Sequence, residues 1–116
     1  MSDTLSYTVT EYDGIKLFEV TGYLSANTGM DFADFLGTVT NTDNVIIDMK
    51  SIDVVTSSGI ESLVMASQSA RKKNKRVILA ALRPDIKEMF FSLSMYRFVI
   101  FAETAEEGLI KMQYYV

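Results

Sequence analysis

Three hydroxyls, on Thr56, Ser57 and Ser58, stand between an apolar stretch, Val45-Ile46-Ile47-Asp48-Met49, and a helix-patterned one that begins at Gly59-Ile60-Glu61. Backbone N–H groups of a first helical turn have no intrahelical acceptor and carry the positive end of the helix dipole. A phosphate on a hydroxyl at that point would be partly stabilised, so a modification switch is one chemistry this run can support. The other reading is structural: Ser and Thr are favoured helix caps, and Ser58-x-x-Glu61 has the form of a capping box.

Other chemistries are restricted by composition. The chain of 116 residues has no histidine and no cysteine, which removes the usual general base, the commonest metal ligand and the thiol nucleophile. Fifteen acidic residues are scattered, and helical spacing pairs none of them into a catalytic couple. Neither a G-x-G-x-x-G nor a G-x-x-x-x-G-K phosphate loop is present. No catalytic residue, metal or cofactor is therefore expected, and a small nucleotide-binding or carboxylate-dependent enzyme is the least supported reading.

A formal net charge of −4 gives the whole molecule no attraction to nucleic acid or to an acidic membrane surface. The basic run Arg71-Lys72-Lys73-Asn74-Lys75-Arg76 is a local exception. It fits a helix C-terminus, with Asn74 in a left-handed C′ position, and leaves room for an anionic partner. With 48% hydrophobic and 22% charged residues the composition is that of a globular domain. No apolar run approaches the ~20 residues of a bilayer span, and the N-terminus lacks a signal-peptide pattern, so the cytoplasm is the expected location.

The elements that must hold the hydroxyl run can be read in order. Ser6–Tyr12 and Ile15–Val20 alternate about Asp13-Gly14, a hairpin signal. A first helix follows the capping residues around Asn27, ends near Gly37 to Thr40, and carries Met30, Phe32, Ala33, Phe35 and Leu36 at helical spacing. Val45-Ile46-Ile47 is apolar without alternation, as in a strand buried on both faces. The second helix runs from Ser57 or Ser58 to about Lys72 and turns Ile60, Leu63, Val64 and Ser67 to the sheet, with small Ala66 and Ala70 for close packing. Arg76–Ala81 is a strand, Pro84 to about Leu93 a third helix, Arg97–Phe101 a last strand, and Thr104-Ala105-Glu106-Glu107 a capping box for a final helix. Phe90 and Phe91 are neighbours on the third helix and cannot share a face, which hints at an interface and allows a monomer or weak dimer. The predicted order is ββαβαβαβα over one domain, residues 1–116, an α/β fold with a mostly parallel central sheet and flanking helices. In such sheets function collects beyond strand C-termini, and the hydroxyl run lies there.

Four ordered stretches carry a resemblance over nearly the whole chain: Val20-Thr21-Gly22-Tyr23-Leu24; Ile46 to Ile60; Leu82-Arg83-Pro84-Asp85-Ile86-Lys87-Glu88-Met89-Phe90; and Thr104-Ala105-Glu106-Glu107-Gly108-Leu109. Together they resemble STAS domains (sulphate transporter and anti-sigma factor antagonist), in particular the stand-alone bacterial members. The family pattern is a strand, Asp-Leu-Ser, a short loop, then Asp-Ser-Ser-Gly-Leu or Asp-Ser-Thr-Gly-Leu opening a helix. Thr56 stands here for the second aspartate, Tyr23 and Ser25 for the acidic residues of an early Gly-Glu-Leu-Asp, and Leu93-Ser94-Met95 for a later Ser-Gly-Leu.

The resemblance implies that Ser57 is phosphorylated by an anti-sigma factor that doubles as a serine kinase, and that a phosphatase reverses it. Unmodified protein would bind the kinase and release a sigma factor; modified protein would not. The implied contact surface is Ser25, Asn27, Thr56, Ser58, Ile60 and Glu61, and the domain itself need not be an enzyme. The alternative is a phosphorylation-independent STAS scaffold or assembly subunit, motivated by Thr56.

Overall fold

The computed structural model describes residues 4–115. Strands β1 (Leu5–Tyr12) and β2 (Ile15–Leu24) form the expected hairpin. Its turn residues Asp13 and Gly14 have φ of 48° and 85°, the pair of positive values that a two-residue hairpin turn requires. Helix α1 (Ala26–Val39), strands β3 (Asn44–Asp48) and β4 (Ile52–Val55), helix α2 (Ser57–Lys72), strand β5 (Val77–Ala80), helix α3 (Pro84–Ser92), strand β6 (Ile100–Ala102) and helix α4 (Ala105–Met112) follow. Spatial order in the sheet is β1-β2-β3-β5-β6; β1 is antiparallel to β2, and the other pairings are parallel.

One strand is missing from the predicted order. β4 pairs in parallel with the end of β2, continuing the line of β3, so the order is ββαββαβαβα. The ten residues of β2 outrun the five of β3, and β4 fills the vacated edge. The handover occurs at Gly22, where the register shifts. Gly22 has φ of 96°, and a Cβ there would lie 2.3 Å from the Thr4 carbonyl oxygen. Only glycine fits both conditions.

Burial explains the layers. Phe18, Val20 and Leu24 of β2 alternate with Leu17 and join Val45, Ile47 and Leu79 beneath α1, α2 and α3; Leu17, Ile46, Ile78 and Ala80 face α4 through Met112. β3 is buried along its whole length, as its unbroken apolar run predicts. Fully buried Phe18 and Phe90 each contribute roughly 1.5–3 kcal/mol by leaving water.

Local signals settle most helix ends. Asn74 has φ of 63°, and the Asn74 and Lys75 N–H groups donate to Arg71 O and Ala70 O, closing α2 with the expected left-handed cap. α3 closes in the same way through Ser94 (φ 57°), with Met95 N–H donating to Phe90 O. That reversal winds Tyr96–Phe98 into a 3-10 turn and delays the last strand to Ile100, three residues later than predicted. Met30 is 63% exposed and Phe35 is also exposed, so two of the five apolar residues at helical spacing on α1 lie outside the core. Thr104 caps α4 by accepting the Glu107 N–H at 3.0 Å, while the Glu107 carboxylate accepts from Glu103 N–H rather than from Thr104.

Candidate functional site

The hydroxyl run is held from two sides. Val55 is registered against Leu24, and the Thr56 N–H then donates to Leu24 O at 3.0 Å, which extends the pairing by one bond. Gly59 lies so close to the same carbonyl that a Cβ would come within 2.3 Å of its oxygen. Because that neighbour is backbone, a side chain at 59 would force the helix start away from β2. The loop after β2 and the start of α2 are thereby brought together, as the family resemblance implies.

Thr56 is the cap. It is extended (φ −91°, ψ 169°), its Oγ1 accepts the Gly59 N–H at 3.1 Å, and its carbonyl accepts the Ile60 N–H at 3.0 Å. The expected Ser58–Glu61 capping box does not form. With β4 ending at Val55, the first non-helical residue is Thr56, so the helix begins at Ser57 and Ser58 is already inside it. Ser58 is exposed, and its carbonyl accepts from the buried Ser62 hydroxyl at 3.0 Å.

Ser57 is consequently the first helical residue, exposed, with capping assigned to its neighbour. Its own N–H and that of Ser58 belong to the first-turn donors that helix geometry leaves without intrahelical acceptors. Glu61 is exposed one turn further on, at i+4 from Ser57. A phosphate on Ser57 would gain about 0.3–1 kcal/mol from the helix dipole. It would lose about 0.2–0.5 kcal/mol to the like charge of Glu61. The two effects oppose each other and are of similar size, so a phosphate here would carry little net electrostatic cost to the helix.

The remaining expected contact residues divide. Asn27, Thr56, Ser58 and Glu61 are exposed around Ser57 or on the first turn of α1. Ile60 is 0% exposed and packs in the main core, so it cannot meet a partner directly. Ser25 is 7% exposed and serves the fold as the cap of α1: its N–H donates to Thr28 Oγ1 at 2.9 Å, and the Thr28 hydroxyl donates to Tyr23 O at 2.8 Å. The periodicity that put Ile60 toward the sheet already excluded it from the surface.

Arg83 is a positioning residue that sequence reasoning missed. Its guanidinium donates to the Ile52 and Asp53 carbonyls of β4, the latter at 3.0 Å, and to Asp85 at 3.2 Å. It ties the connection before α3 to the strand that delivers Thr56. The hydrogen bond from Arg83, followed by its charge, holds the Asp85 carboxyl below the usual aspartate range. Among the described residues no three His, Cys, Asp or Glu side chains gather to hold a metal ion. A cavity of about 510 Å³ lies at the other end of the sheet, by the hairpin turn and Met112, and none of the hydroxyl run lines it.

The domain is thus a mostly parallel sheet with three helices on one face and one on the other, and the start of its second helix presents the Ser57 hydroxyl to solvent. The STAS domain model matches residues 6–108, and the chain belongs to that family. Its fold is shared with an anti-sigma factor antagonist from Mycobacterium paratuberculosis (TM-score 0.82, 16% identity, 97% of each chain covered). It is shared also with the anti-sigma factor antagonist SpoIIAA in its unphosphorylated form (TM-score 0.76, 15% identity, 96% of this chain and 99% of that one). The Bacillus cell fate determinant SpoIIAA in its phosphorylated form gives a TM-score of 0.69 at 14% identity, with 91% of this chain and 98% of that one covered. No curated protein sequence matches the chain. Among the described residues no helix is long and apolar enough to cross a membrane.

Proposed function

We propose that this protein is an anti-sigma factor antagonist: it binds a kinase-type anti-sigma factor through the start of α2 and is released when Ser57 is phosphorylated. The observation that carries the reading is the separation of roles at the helix start, where Thr56 holds the cap and Ser57 is left exposed and unoccupied by it. The chain supplies a hydroxyl and a docking face, with Asn27, Thr56, Ser58 and Glu61 around it; base, nucleotide and phosphoryl chemistry belong to the kinase, and hydrolysis to a phosphatase. A phosphoserine adds about −1.5 to −2 charges at neutral pH, enough to break a close interface without unfolding the helix that bears it.

The second reading, a constitutive assembly subunit, draws on Thr56, which stands where the family pattern has an aspartate. Affinity for the cognate kinase-type anti-sigma factor separates them. Under the switch, wild type and Ser57→Ala bind alike and Ser57→Asp binds at least about tenfold more weakly, a loss of ~1.4 kcal/mol. Equal retention of a partner by all three would favour the assembly subunit.

A further inference from the structure

The far end of α2 brings together two sequence features that the switch leaves unused. Phe91, 47% exposed, stacks on Tyr96 with ring centroids 4.8 Å apart, while its neighbour Phe90 is wholly buried. The 3-10 turn packs against α2, and there Phe98 joins Gln68, Arg71 and Lys72 around a cavity of about 310 Å³. Arg71, Lys72 and Arg97 take part in none of the ion pairs formed among the described residues. A chain of net charge −4 thus keeps two cations, Arg71 and Lys72, beside the exposed Phe98 ring at one helix end, outside every ion pair among the described residues.

We propose that this surface is a second docking site, for an acidic peptide segment of a partner protein that inserts an apolar side chain against Phe98 while its carboxylates meet Arg71 and Lys72 beside it. Charge complementarity selects the class. A nucleic acid is disfavoured by the overall negative charge, and the Tyr96 ring is already engaged, with Phe91 stacked on it and the Arg97 guanidinium 6.0 Å from its centre. Arg71 lies fourteen residues from Ser57, about 21 Å along the helix at 1.5 Å per residue. A segment seated here stays clear of a phosphate on Ser57, so a partner can remain tethered while the other end of α2 is modified.

The test is selection of a random-peptide library on the full chain, with binding of the enriched peptides then measured by fluorescence anisotropy. Enriched peptides are expected to be acidic with at least one aliphatic or aromatic residue, and to weaken with salt. They should bind R71E/K72E, whose exposed positions leave the fold intact by circular dichroism, at least about tenfold more weakly, and S57D as tightly as wild type. Enrichment without acidic bias, equal binding to R71E/K72E, or tighter binding of an oligo-dT single strand than of every enriched peptide would overturn it.

Discussion

Thr56 governs how Ser57 is presented. Aspartate and threonine are both helix caps, so the exchange at this position keeps the hydrogen bond to Gly59 N–H and removes a negative charge. Thr56→Ala should therefore cost about 1 kcal/mol in urea unfolding, and Thr56→Asp should keep wild-type stability within about 0.5 kcal/mol. A null effect of the alanine would show that the cap does not hold the helix start. Ser25 repeats the theme, since the residue that stands where the family has an acid is the N-cap of α1, its backbone N–H donating to a Thr28 hydroxyl that itself donates to Tyr23 O. The three hydroxyls and their place at a helix start were legible in the sequence. Which one caps was not, because Ser58-x-x-Glu61 fits the box pattern, and only the end of β4 at Val55 decides in favour of Thr56.

At the level of elements, β4 is the part that the pattern hid. Ile52–Val55 is four residues long with only its ends buried, which is neither the alternation of a half-buried strand nor the apolar run of a central one. Its stability comes from outside it, from β2 on one side and the Arg83 guanidinium on the other. Arg83→Met should accelerate amide exchange at Val54 to Thr56 while leaving β3 protected. Because the Asp85 carboxyl is held low in the folded state, its support of Arg83 is complete above the ordinary aspartate range, near 3.9. That support is lost as pH falls through the lowered value. The stability difference between wild type and Asp85→Asn should thus be present at neutral pH and close on acidification; a difference that grows toward low pH would contradict the arrangement. The reach of Arg83 back across 30 and 31 residues to Asp53 and Ile52 is a tertiary contact with no local signature.

For the molecule as a whole, alternation of strands and helices after the hairpin was enough to predict the mostly parallel sheet, since right-handed crossovers leave few other arrangements. The two faces were less legible: Met30 and Phe35 follow helical spacing yet are exposed, because period alone does not say how wide the buried stripe is. What the assembled fold adds is polarity along α2, a neutral hydroxyl end set against β2 and a basic end beside the aromatic turn. The central claim concerns the first of these ends. Incubation with the cognate kinase-type anti-sigma factor and ATP, followed by intact-mass and peptide mapping, should show a single phosphate on Ser57 in the wild type and none in Ser57→Ala. An unmodified wild type, or modification that persists in Ser57→Ala, would contradict it.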